Sequence, residues 1–105
     1  MTLCYHKAID ARLRRLVEAS IQKIDANPSL RRRLAQNVSR WPNPRLREQW
    51  QQRLQQPWPA LRAELLADTD AGAALRQDAP LAGILSGVER APIMSEFFSR
   101  DARPA

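Results

Sequence analysis

Cysteine and histidine each occur once in the 105 residues, as Cys4 and His6, and glycine occurs only at Gly72, Gly83 and Gly87. A lone cysteine excludes an intrachain disulfide, and no CxxC or Cys/His spacing offers a structural metal site. Scattered glycines exclude a glycine-rich phosphate loop. No apolar run approaches the ~20 residues of a membrane-spanning helix, and the first residues, "MTLCYHKAIDARLRRL", lack the apolar core of an export signal. Sustained alternation of β-branched residues is missing too, so no sheet is expected. These absences point to a cytoplasmic protein without metal or cofactor.

Catalytic equipment is equally sparse. General acid–base chemistry relies on histidine or on carboxylates held together in a pocket. Cys4, His6 and Asp10 form the one grouping of that kind, near a chain end expected to fray, with too few ligands for a metal. "DTDAG", residues 68–72, resembles the start of a calcium loop and then departs from it: Gly72, Ala73 and Ala79 stand where a ligand, the turn glycine and the bidentate glutamate belong. The chain is therefore read as non-enzymatic.

What the sequence does contain suits a single helical domain over residues 1–105, with 1–7 and 100–105 frayed. Its hydrophobic fraction of 44% is enough for a modest core. Ile9, Leu13, Leu16, Val17, Ile21 and Ile24 follow the 3-and-4 spacing of one helix face, predicting a helix over 8–26. Proline then punctuates the chain. Asn27 and Pro28 read as N-cap and first residue of a helix reaching Arg40 with Leu30, Leu34 and Val38 inward. Asn43 and Pro44 repeat that grammar for a helix reaching Gln56 with Leu46, Trp50 and Leu54 inward, so 27–40 and 43–56 form an imperfect repeat offset by sixteen.

Pro59 opens a further helix burying Leu61, Leu65 and Leu66, and Asp70 is the expected N-cap of a short turn through Leu75. Ser86 and Glu89 have capping-box spacing, but Pro92 follows within two turns, so the last helix is placed from Pro92 onward. The expected fold is all-α: a compact orthogonal bundle of four to six short helices with proline-punctuated junctions.

Charge divides the chain unequally. Residues 1–56 hold twelve Lys or Arg against four Asp or Glu, whereas 57–105 hold five against seven, within a net charge of +6. A basic field attracts phosphates, anionic lipid or acidic proteins. Fifteen of the seventeen cations are arginine, a bias that, with the many alanines, also suits a GC-rich bacterial genome.

Two binding readings follow. In the first, the chain is a small bacterial regulatory or accessory protein that meets a protein partner or a second copy of itself. Ile93, Met94, Phe97 and Phe98 in the apolar C-terminal third are its candidate anchors. In the second, residues 28–56 form a helix-turn-helix whose second helix, 44–56, reads DNA. Arg45, Gln49, Gln52, Arg53 and Gln56 share its outward stripe, and arginine and glutamine suit the guanine and adenine edges of the major groove. Arg31, Arg32, Arg33 and Arg40 would contact phosphates.

Trp41 and Trp58, each before a proline, lie at opposite ends of the 44–56 helix and read as pins of their junctions rather than a shared base-stacking platform. The 8–26 segment is amphipathic, yet Asp10, Glu18 and Asp25 interrupt its cations and no aromatic anchors its apolar side, which argues against a membrane surface.

Overall fold

The computed structural model describes the backbone of residues 2–101 and the side chains of residues 11–96. It is all-α, with six α-helices and no strand among the described residues: α1 Thr2–Ala26, α2 Arg31–Ser39, α3 Pro44–Arg53, α4 Trp58–Leu66, α5 Asp70–Gln77 and α6 Gly87–Asp101. A single 3-10 turn, Pro28–Leu30, precedes α2. No helix among the described residues is long and apolar enough to cross a membrane.

The long helix α1 is the spine. It packs against α4, α5 and α6 and against the 3-10 turn, while α2 packs on α3 and on that same turn. The reason lies in its stripe: Val17, Ile21 and Ile24 are fully enclosed. Val17 and Ile21 join Val38, Trp50, Leu61 and Leu65 in one cluster, and Ile24 joins Leu34 and Ile84 in a second. The helix starts six residues before the expected Ala8, because neither proline nor glycine lies between Thr2 and Ala8 to stop it.

The corner between α4 and α5 explains the "DTDAG" stretch without any cation. Thr69, not Asp70, is the N-cap: its Oγ1 accepts from the Gly72 N–H at 3.0 Å, and Asp70 is the first helical residue. Gly72 is buried so tightly that a Cβ there would lie 2.2 Å from the Ala67 carbonyl oxygen. Arg76, only 2% exposed, donates from Nη1 to the carbonyls of Leu65 (3.0 Å) and Ala67 (2.8 Å), and Arg14 donates to that of Leu66 (2.8 Å). Two arginines thus satisfy the carbonyls orphaned at the end of α4, where the helix dipole favours positive charge. The helix runs past the expected Leu75 to Gln77, which brings Arg76 into place.

The expected start of the last helix at Pro92 is corrected. Helix α6 begins at Gly87 behind a reciprocal capping box: Ser86 N donates to Glu89 Oε1 (2.9 Å) and Glu89 N donates to Ser86 Oγ (3.1 Å). Pro92 sits at the sixth helical position and removes a donor to the Val88 carbonyl, but Val88 is 84% exposed and solvent is at hand. A satisfied cap outweighs one missing bond near a hydrated helix start.

Candidate binding surface

Helix α3 is the expected reading helix, and its start forms as its residues predict. Asn43 is extended, and its Oδ1 accepts from the Arg45 and Leu46 N–H groups at 3.0 and 3.2 Å, while Pro44 fills the first turn. Trp50 is buried and Leu46 half-buried, so Arg45, Gln49 and Gln52 face outward and are exposed.

Two members of the expected stripe are not available as proposed. Arg53 is half-buried, bound through Nη1 to Glu64 Oε2 on α4 at 2.9 Å, with its guanidinium 5.6 Å from the Trp50 ring centre. Gln56 lies beyond the helix, which ends at Arg53 rather than at Gln56. Residues 54–56 tighten into turns, with Gln55 N and Gln56 N donating three residues back, because the residue before Pro57 is excluded from the α region. Gln49, Gln52, Arg53 and Gln56 still meet, as the lining of one shallow polar hollow.

Sequence reasoning also overlooked Glu48. It is exposed on α3, four residues before Gln52 and three after Arg45, and therefore on the same outward side. The face that was to read bases carries a carboxylate beside its one uncommitted arginine, so its charge is close to balanced.

Helix α2 is different. Arg32, Arg33, Gln36 and Arg40 are all exposed, whereas Leu34 and Val38 enter the core. None of the ion pairs among the described residues involves α2; they join α1, α3, α4, α6 and the α4–α5 corner instead. The signal was present in the sequence: residues 26–47 contain six arginines and not one Asp or Glu. Arg31 is partly withdrawn, its guanidinium 5.6 Å from the centre of the Trp58 ring. The helix is held in register by Asn37, whose Nδ2 donates to the carbonyls of Pro80 and Ala82 at 2.8 and 2.9 Å. Gly83, at φ 80°, lies directly under Arg33.

The tryptophans act as junction pins. Trp41 meets Trp50 edge to face at 6.3 Å, and Arg47 donates to the Trp41 carbonyl at 2.7 Å. Trp58 donates from Nε1 to Asp25 Oδ1 at 2.6 Å, and Arg62 Nε reaches Oδ2 at 3.0 Å. Those two donors, Trp58 first, hold the Asp25 carboxyl below its ordinary value despite some desolvation.

In the C-terminal third the expected anchors separate. Ile93 is 7% exposed and packs within the chain, so it offers no surface to a partner. Met94 is half-buried. The side chains of Phe97 and Phe98, like those of Cys4, His6 and Asp10, lie outside the described residues. Near α6 a cleft of about 270 Å³ runs between α1 and the 79–85 loop, lined mainly by apolar residues, Leu13, Leu16, Leu81 and Leu85 among them, with Arg76 and Arg90 as its charged members. No three His, Cys, Asp or Glu residues converge as metal ligands among the described residues.

Comparison with known proteins finds no matching family model, no matching curated protein and no matching solved structure.

Proposed function

We propose that this chain is a non-enzymatic binding protein, regulatory or accessory in role, that recognises an acidic surface on a partner protein through the outer face of α2. The observation that carries this reading is the exposure of Arg32 and Arg33 on a helix that takes part in no ion pair, and of Arg40 at its C-cap, in a molecule whose other cations are widely paired. A surface of one sign without compensating carboxylates steers oppositely charged partners and suppresses others. Bacterial origin and a cytoplasmic setting belong to the same proposal.

The test is binding of polyglutamate, followed by fluorescence anisotropy across a salt series. The triple variant Arg32→Glu, Arg33→Glu, Arg40→Glu should lose at least about tenfold in affinity, with helicity unchanged because all three side chains are exposed. Equal binding by wild type and variant would sink the reading.

A second reading, helix-turn-helix recognition of DNA, is supported by the four-residue junction from Arg40 to Asn43 and the exposed Arg45, Gln49 and Gln52. Glu48 and the Arg53–Glu64 pair weigh against it. If it holds, Gln52→Ala alters sequence preference among duplexes, while Arg32→Ala weakens all duplexes alike. Absence of duplex binding at low salt removes it.

A further inference from the structure

Beside the cationic face of α2 lies a groove that neither binding reading uses. It runs between the 3-10 turn and α2 on one side and α4 on the other, across the end of α3, and measures about 310 Å³. Its accessible apolar surface comes from Pro28, Ala35 and the half-buried Leu54, and Leu34 and Leu61, almost completely enclosed, close it from beneath. Ala35, exposed, contributes only a methyl group to the rim, and Arg31 and Arg32 stand beside it. No carboxylate lines the groove among the described residues. Arg31 is held there by the Trp58 ring, 5.6 Å from its guanidinium carbon, so one cation is already oriented at the edge.

We propose that this groove receives an aliphatic side chain from an acidic segment of the partner, whose flanking carboxylates pair with Arg31 and Arg32. The inference rests on the proposed acidic partner and adds an apolar anchor to it. Apolar floor and cationic rim together select a segment that alternates leucine-like and acidic residues, presented as an amphipathic helix. The volume sits at the lower limit of the ~300–1,000 Å³ typical of ligand pockets, which suits side-chain anchors better than a bulky cofactor. Desolvating a leucine against Leu54, Pro28 and Ala35 supplies affinity that salt does not screen, whereas the arginines set orientation and exclude basic competitors.

The experiment uses the full chain and two synthetic peptides of Glu and Ala, one with leucines four residues apart and one with those leucines replaced by alanine. Fluorescence anisotropy should show the leucine peptide binding about tenfold tighter or more. Ala35→Trp, which fills the groove from an exposed position, should erase that difference and leave the alanine peptide's binding unchanged. Ala35→Glu guards against misfolding of the bulkier variant and should weaken both peptides, the leucine peptide more. If both peptides bind equally, and the triple α2 charge reversal abolishes both, the groove inference falls while the acidic-partner reading stands. If neither peptide binds, both fall. Concentration-dependent self-association in sedimentation that Ala35→Trp abolishes and the leucine peptide fails to displace would assign the groove to a second copy of this chain and overturn the inference.

Discussion

The two Asn-Pro helices, residues 27–40 and 43–56, begin with the same dipeptide and end as different objects. Asn43 caps α3 with two backbone bonds, whereas Asn27 makes no side-chain cap bond at all. Its Oδ1 is occupied by the Ser29 hydroxyl at 2.7 Å, and the chain enters α2 through a 3-10 turn. The repeat places Arg45 opposite Ser29, and an arginine has no hydroxyl to compete for the asparagine. Asn27 is also the last link of α1, its N–H donating to Lys23 and Ile24, while Asn43 is itself extended and stands two residues past Trp41, whose N–H makes the closing bond to Val38. A cap signal thus works only when the neighbouring hydroxyls and the preceding element leave it free.

Burial separates the pair further. Leu34 and Val38 of α2 lie at 2% and 0% exposure, while on α3 only Trp50 is enclosed and Leu46 and Leu54 remain half-buried. Helix α2 is wedged into the core and shows an unpaired basic back; α3 hangs on one tryptophan and shows a mixed polar face.

The largest effect should come from removing that tryptophan. Trp50→Ala is expected to cost about 3–5 kcal/mol in urea denaturation, since it deletes the buried ring that Trp41 and Arg53 both lean on. Leu34→Ala should follow at about 2–5 kcal/mol and Leu46→Ala at less than half the Leu34 value. Equal losses at 34 and 46 would contradict the claimed difference in burial between the two helices.

Caps give the next effect. Asn43→Ala should lower stability by about 1 kcal/mol, and Asn27→Ala by no more than a few tenths. Matching shifts in melting temperature for the two variants would show that Asn27 caps in solution after all.

A third helix start, that of α6, carries the smallest effect and depends on pH. Donation from Lys23 Nζ at 2.6 Å, then from the Ser86 backbone and hydroxyl, holds the exposed Glu89 carboxyl at about 2, below its ordinary 4.5. Because the folded value is depressed, the contribution is fully present above pH 4.5 and fades as pH falls toward about 2. Thermal melts of wild type and Glu89→Gln should therefore differ at neutral pH and converge in that acid window. A gap that stays constant down to pH 2 would contradict the assignment.

Much of the fold was legible because helix stripes and proline junctions are local. Spacing alone turns Val17, Ile21, Ile24, Leu34, Val38 and Trp50 inward, and all six are enclosed. The reading of Pro92 failed because a capping box and a proline competed within two turns, and their balance depended on solvent at Val88. The site was less legible. Removing Arg53 from the outward stripe requires knowing that Glu64, eleven residues away, comes within 2.9 Å. The register of Glu48, three residues after Arg45 and four before Gln52, is by contrast legible in the sequence.

Residue order by itself determined the all-α class, the inward stripes, the places where prolines end and start helices, and the excess of charge in residues 1–56. Those depend on contacts within about a turn or two of helix, where backbone sterics and periodicity act directly. Only the tertiary structure decided which arginines stay unpaired, which of them close the carbonyls at the end of α4, and that an apolar groove opens beside α2. Each of these depends on which distant groups arrive at a given surface, and local propensity has no term for that.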